Sequence, residues 1–212
     1  MMRKFISLLS PGLDSPVAAY LMLKKKFHPV FLSFLTFNNQ NIEVKQGIIQ
    51  IVKILSRYTK GKLRVYFINH SLNLNTIKLN CERKLTCILC KRLMIQIAMQ
   101  IARLEKTNII ITGDILGEQA SQTLDNLYSY NNITNGNIIV RPLIGWNKLD
   151  VIDLNKRMGL YDLVSKLSTS CRYNPQYPET HGKVKEIQIN ESKIDISATI
   201  KESIKSAELF EF

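Results

Sequence analysis

Short β-branched and aromatic runs alternate with longer segments of helical periodicity along most of this chain, and that rhythm admits few folds. Strand-like runs fall at Phe5–Leu9, Pro29–Phe34, Leu63–Ile68, Ile109–Thr112 and Ile138–Val140. Helical patterns lie between and after them, at Ser15–Lys26, Ile42–Tyr58, Lys91–Leu104, Gly117–Tyr128 and Lys148–Met158. Strand–helix–strand units joined by right-handed crossovers gather their strands into one parallel sheet with helices on both faces. The expectation is an α/β fold with a five-stranded parallel sheet. Ligands of such sheets bind outside the carboxyl ends of the strands. The loop after the first strand, the Thr112-Gly113-Asp114 turn and the segment after Val140 should therefore share one rim. Beyond Ser168 the pattern weakens around Pro175, Pro178 and Gly182, before a charged helix at about Ile196–Leu209. Residues 1–167 read as one domain and 168–212 as an extension packed on it.

The rim's first loop is Ser10-Pro11-Gly12-Leu13-Asp14-Ser15, between an apolar strand and a helix start. Small residues there let amides and hydroxyls close around an anion at the positive end of a helix, which favours phosphate. Asp14 would repel phosphate unless a Mg²⁺ lay between them, so a metal-bridged triphosphate is the expected ligand. Ser15 as N-cap with Pro16 at the first helical position would explain the same stretch as a plain helix cap.

Lys plus Arg outnumber Asp plus Glu by 29 to 17, a formal charge of +12, and this favours polyanionic partners over a merely solvated lysine-rich surface. No apolar run approaches the roughly 20 residues that span a bilayer. Met2-Arg3-Lys4 leads into a strand and not a signal peptide, so a cytoplasmic protein without membrane contact is expected.

Leu93, Ile97, Ile101 and Leu104 form the buried stripe of the third helix. Lys91 and Arg92 in its first turn oppose the macrodipole, so a phosphate or RNA backbone is expected to compensate them. Cys87 and Cys90 precede them in a positive field that favours thiolate. With Cys171 they would suit an iron–sulfur cluster with one open iron, zinc would need a fourth ligand from Cys81, His70 or His181, and unligated packing is the remaining reading. After the fourth strand, Leu116, Ala120, Leu124 and Leu127 read as a buried stripe, leaving Gln119 and Gln122 free for a nucleotide. Arg141, after the fifth strand, is a candidate phosphate ligand.

Together the Ser10–Ser15 loop, Cys90-Lys91-Arg92-Leu93-Met94, the run from Thr112 to Leu124 and Arg141-Pro142-Leu143-Ile144-Gly145 resemble the catalytic domain of the tRNA 4-thiouridine synthase family, a branch of the PP-loop ATP pyrophosphatases. The likeness runs from about Lys4 to the C-terminal helix and departs from the family loop at Pro11, which lacks an N–H. It implies a three-layer, adenine nucleotide α-hydrolase-like sandwich. It also implies ATP with Mg²⁺, adenylation of a tRNA uridine O4 with release of pyrophosphate, and displacement of AMP by sulfur to give 4-thiouridine.

By matching positions, the resemblance implies ATP contacts from Leu8, Leu9, Ser10, Gly12, Leu13, Asp14, Ser15, Ser33, Phe34, Lys91, Arg92, Gly113 and Gln122, with Arg92 and Arg141 meeting RNA or phosphate. It gives catalytic roles to Asp14, Lys91 and Cys171, and an iron–sulfur cluster to Cys87, Cys90 and Cys171, with a persulfide relay among the same thiols as the alternative. The implied partners are tRNA and a separate THUMP-type RNA-binding protein, since the chain starts at the first catalytic strand; the sulfur donor stays open and a homodimer is compatible. Two other functions fit the same residues: adenylating chemistry on another sulfur acceptor, in a thiamine-pathway or sulfur-carrier step, and a non-catalytic nucleotide- or tRNA-binding module.

Overall fold

The computed structural model describes residues 3–36, 41–167 and 171–212. All five expected strands form, as β1 (Lys4–Leu8), β2 (His28–Leu35), β3 (Arg64–Asn69), β4 (Ile109–Ile111) and β5 (Ile138–Val140). They pair in parallel, and a sixth strand, β6 (Glu208–Glu211), adds antiparallel to β3, giving the order β5-β4-β1-β2-β3-β6. β6 corrects the expected helix end at Leu209. Helix α9 (Ile196–Lys205) stops earlier, and Phe210 turns onto the sheet to pack edge-to-face on Phe67, with ring centroids 5.6 Å apart. Four residues of alternation are too short a signal to separate from a helix tail.

Period-2 alternation in β2 divides the core into two layers. Phe31 and Leu35 join a cluster with α1 (Asp14–Lys24), α2 (Asn41–Leu55), α6 (Lys148–Met158) and α7 (Tyr161–Leu167). Val30 and Leu32 join the opposite cluster, built on α3 (Ser71–Asn80), α4 (Thr86–Leu104), α5 (Leu124–Tyr128) and α8 (Val184–Glu191), with α9 packed against it. Helices on both faces make the expected three-layer sandwich. The expected boundary at 167/168 abuts residues 168–170, which lie outside the described ones. C-terminal to it, α9 packs on α4 and β6 completes the sheet.

Two helices differ from expectation in ways that matter for the site. Helix α4 begins at Thr86, because Leu85, Ile88 and Leu89 extend its buried stripe by a turn, while Leu104 is exposed at its end. Cys87, Cys90, Lys91 and Arg92 are thus on the helix and not ahead of it. Arg83–Leu104 is long and apolar enough to cross a bilayer by length and composition, and 67% of its apolar window is buried inside the protein. The expected helix Gly117–Tyr128 instead breaks into a 3₁₀ turn at Ala120–Gln122 and the short α5. Thr123 is extended and its hydroxyl caps α5 at the Asn126 amide, so Leu116 and Leu124 fall on the surface and the stripe reduces to Leu127.

Candidate nucleotide-binding site

At the carboxyl ends of β1, β2 and β4 lies a half-open cleft, about 610 Å³ with the solvent at its mouth included. Its lining is apolar at Leu8, Leu9, Leu32, Phe34 and Met94. It is polar at Ser10, Gly12, Asp14, Ser15, Lys91, Gly113, Asp114 and Gln122. An apolar slot beside convergent polar groups is the usual form of a small-molecule site.

The Ser10–Ser15 loop is closed by hydroxyls and not by a helix cap. α1 starts at Asp14, with Leu13 in the capping position and no side-chain cap. Ser15 Oγ accepts the Ser10 amide at 2.8 Å, lies 3.0 Å from Ser10 Oγ, and the Gly12 amide points to Ser10 Oγ at 3.3 Å. The expected capping role of Ser15 is therefore replaced by one that folds the loop back on its own start. Gly113 permits this closure to meet the β4 turn: a Cβ there would lie 2.7 Å from the Ser15 nitrogen, 2.8 Å from its Cα and 3.0 Å from the Asp14 carbonyl carbon.

Asp114 organises the floor. It is fully buried, and its Oδ1 accepts Lys91 Nζ at 2.7 Å and Gln122 Nε2 at 3.4 Å. Its Oδ2 accepts Thr112 Oγ1 at 2.7 Å and Arg141 Nε at 3.3 Å. Burial pushes this carboxyl up, but the charges of Lys91 and Arg141 with these hydrogen bonds outweigh it and hold the group below the usual carboxylate range. Arg141 Nη2 is buried with no partner among the described residues, a spare donor beside the cleft. On the rim, Lys148 Nζ, in the first turn of α6, reaches Asp14 Oδ1 at 2.6 Å. Three cations against two carboxylates leave this site with a surplus of one positive charge, suited to an anionic ligand.

Most of the thirteen expected ATP contacts meet here: Leu8, Leu9, Ser10, Gly12, Asp14, Ser15, Phe34, Lys91, Gly113 and Gln122 all line the cleft. Three do not. Leu13 packs on the core while its carbonyl accepts Asn155 Nδ2 at 2.8 Å, and Ser33 is buried on the face of β2 that carries Phe31 and Leu35. Arg92 is 1% exposed, which corrects the expectation of a nucleotide or RNA contact. Its Nε and Nη2 hold Glu191 at 3.1 and 2.6 Å, and Nη1 donates to the Ser129 carbonyl and to Asn132 Oδ1 at 2.8 Å. With α4 beginning at Thr86 the two cations lie in its second turn and not its first, and the anions that pair with them are Asp114 for Lys91 and Glu191 for Arg92.

The cysteines correct a second expectation. Burial pushes the Cys87 thiol up to about 11 and the Cys90 thiol up to about 12, and the neighbouring Cys171 adds to both. Lys91 draws the Cys90 thiol down and Arg83 the Cys87 thiol, in each case by less than burial raises it. Cys90 Sγ also lies 3.3 Å from Nε2 of His70, a ring whose Nδ1 faces Asn73 Nδ2 at 3.1 Å and which burial holds neutral, down to about 3. Among the described residues no group of three His, Cys, Asp or Glu is placed to hold a metal ion. Cys171 lies close enough to Cys87 and Cys90 to raise both thiols, and the three are the kind of soft donor an iron–sulfur cluster would require.

Asp114 and Lys148 were not singled out from sequence. Lys148 carried a usable signal, an unfavourable cation in the first turn of its helix. Leu32 and Met94 look like any core residue.

Comparison with known proteins bears on this geometry. The family model described as thiamine biosynthesis protein (ThiI) matches residues 2–196. A probable tRNA sulfurtransferase of Methanosarcina mazei is 34% identical over 210 residues, covering 97% of this chain and 51% of the relative. One of Methanocaldococcus jannaschii is 34% identical over 199 residues, covering 91% and 50%. The chain spans about half the length of the curated relatives it matches. A 4-thiouridine synthetase solved with RNA and bound ATP superposes with a TM-score of 0.91 at 25% identity, over 99% of this chain and 55% of that one. NMN synthetase of Francisella tularensis, at 20% identity and a TM-score of 0.58 over 95% of this chain and 82% of that one, shares the fold. Sequence match, backbone superposition and the loop-centred cleft agree, and the chain belongs to the thiamine biosynthesis protein (ThiI) family.

Proposed function

We propose that this chain is the ATP pyrophosphatase unit of a tRNA sulfurtransferase, which adenylates a tRNA uridine at O4 and replaces that oxygen by sulfur to give 4-thiouridine. The observation that carries the reading is the convergence of the Ser10–Ser15 loop, Lys91, Asp114 and Gln122 on one cleft with an apolar slot beside it. The slot of Leu8, Leu32, Phe34 and Met94 takes the adenine. Loop hydroxyls, the N-terminus of α1 and the side chains of Lys91 and Lys148 take the phosphates. Arg141, with its unpartnered Nη2, adds a donor.

Uridine O4 attacks the α-phosphorus. An O–P bond forms there, the bond to the β-phosphate oxygen breaks, and pyrophosphate leaves with the electron pair. Lys91, Lys148 and Arg141 stabilise the charge that gathers on the leaving group, which is what preorganised cations contribute to phosphoryl transfer. A sulfur nucleophile then adds to C4, and AMP departs with the former O4. Asp14, a hard carboxylate at the mouth of the loop, suits Mg²⁺, which would neutralise phosphate charge. Cys87, Cys90 and Cys171 would hold an iron–sulfur cluster as the sulfur-handling group.

The test is release of pyrophosphate from ATP with unmodified tRNA. It should require tRNA and be lost in Asp14→Ala and Lys148→Ala. No tRNA-dependent release by a protein that binds ATP would overturn the reading, and release driven by a small molecule without tRNA would move it to another sulfur acceptor. Colourless, iron-free protein from anaerobic purification that still thiolates tRNA would remove the cluster alone.

A further inference from the structure

Four neighbouring strands enter the sheet through positive charge. In the order β4-β1-β2-β3, Lys106 precedes β4, Arg3 precedes β1, Lys26 precedes β2, and Lys60 and Lys62 precede β3. Hydrogen bonds tie these starts together: Thr107 Oγ1 donates to the Lys4 carbonyl at 2.7 Å, the His28 amide to the Arg3 carbonyl at 2.9 Å, and His28 Nε2 lies 3.1 Å from the Lys62 carbonyl. At a strand spacing of roughly 4.8 Å the row is about 14 Å long. All five cations are exposed, and none pairs with a carboxylate among the described residues. Glu105, beside Lys106 in sequence, is turned inward, where Lys4, Arg64 and Tyr66 satisfy it.

The helix macrodipole accounts for cations in the last turn of a helix, such as Lys24 and Arg103. It does not account for Lys26 and Lys106, which sit beyond the helix ends in left-handed backbone, with φ of 63° and 57°. Both close the same terminal hydrogen-bond motif, Phe27 N to Met22 O at 3.2 Å and Thr107 N to Ala102 O at 2.9 Å. α6 ends identically, Leu160 N to Asn155 O at 3.0 Å, with Gly159 at φ 70°. Glycine is the favoured residue in this conformation and a side chain is disfavoured. Lysine at two such positions, both on one edge and both feeding β1's neighbours, works against stability where glycine would serve.

We propose that this amino-terminal edge of the sheet is a second RNA-docking surface, which grips the phosphate backbone far from the cleft. β2 alone, eight residues long, separates the two edges by roughly 26 Å. The phosphates gripped here belong to nucleotides other than the one being modified, so the surface supplies affinity and orientation while the chemistry stays at the opposite rim. The inference rests on the tRNA reading above.

The test is the double variant Lys26→Gly, Lys106→Gly in the full chain, with unmodified tRNA titrated over a salt series. Each lost phosphate contact should reduce the slope of log affinity against log salt by about 1, so the slope falls by about 2. ATP affinity stays unchanged and the melting temperature does not fall, since glycine suits both positions. An unchanged slope overturns the docking surface, and if tRNA-dependent pyrophosphate release persists in that protein the enzymatic reading survives. An unchanged slope with reduced binding to anionic lipid vesicles would assign the edge to a membrane surface instead. A wild-type protein with no salt-dependent tRNA affinity would overturn both.

Discussion

Gly113→Ala is the sharpest probe of how the cleft is built. The added methyl would lie 2.7 Å from the Ser15 nitrogen, against an ordinary contact distance of 3.4 Å, so 3.4 − 2.7 = 0.7 Å must be recovered. The three nearest atoms are all backbone of Asp14 and Ser15, at the start of α1, and no rotamer change relieves them. Overpacking of this kind costs about 1–3 kcal/mol, which for a domain of this size lowers the melting temperature by roughly 2–12 °C. The same shift moves the loop that is to hold phosphate, and misplacement on the order of 1 Å can reduce turnover about 100-fold. Calorimetric titration with ATP and thermal unfolding should both respond. Gly145→Ala, where a Cβ meets nothing within 4 Å, should change neither and serves as the control. Wild-type ATP affinity and melting temperature in Gly113→Ala would refute the proposed contact between the β4 turn and the phosphate loop.

Arg92→Leu should lose about 3–5 kcal/mol in urea unfolding, because it strands Glu191 and the Ser129 carbonyl, while folded protein keeps its ATP affinity. A stable variant with weakened ATP binding would return Arg92 to the nucleotide site. Stability should fall with pH below neutrality: His70, held neutral in the folded state, contributes fully above its unfolded value of 6.5 and loses that contribution as pH drops toward 3. The slope approaches roughly 1.4 kcal/mol per pH unit, and His70→Gln should abolish it above pH 4.5, the unfolded value of Glu105, which is likewise held low and loses its contribution below that. Asp114, held low, adds a further loss only as pH passes below 3.8, its unfolded value. Cys87 and Cys90 should react slowly with iodoacetamide at pH 7 and faster toward pH 11, as expected of thiols that burial pushes to about 11 and about 12. Rapid labelling of Cys90 at neutral pH, read by mass spectrometry, would contradict the buried environment assigned to it.

The sheet was legible because β1 and β2 are almost wholly buried, and all five parallel strands, the more exposed edge strand β5 included, read as short apolar runs between helical segments, a signal set by period and length. The region from Gly117 to Tyr128 was not. Its leucine spacing matches a helix, yet Thr123 spends its hydroxyl capping α5 and its backbone is extended, so a local hydrogen bond overrides the periodicity. β6 was hidden for a different reason, since pairing with β3 across more than a hundred intervening residues decides its conformation.

The cations show where sequence reasoning about a site stops. Lys91 and Arg92 are adjacent and read from sequence as first-turn cations opposing a helix dipole, but α4 begins at Thr86, which places both in its second turn, where that penalty has faded. Each has an anion all the same, because each is drawn into a largely buried setting. The helical step between them turns Lys91 toward the cleft, where Asp114 waits 23 residues on, and Arg92 into the core, where Glu191 lies 99 residues on. A cation in an otherwise apolar helix therefore reveals that a counter-charge exists without revealing whether it is a ligand or another part of the chain. Lys148 completes the series: its partner Asp14 sits in the phosphate loop itself, 134 residues earlier, so this pair is the one a bound triphosphate would most directly reorganise.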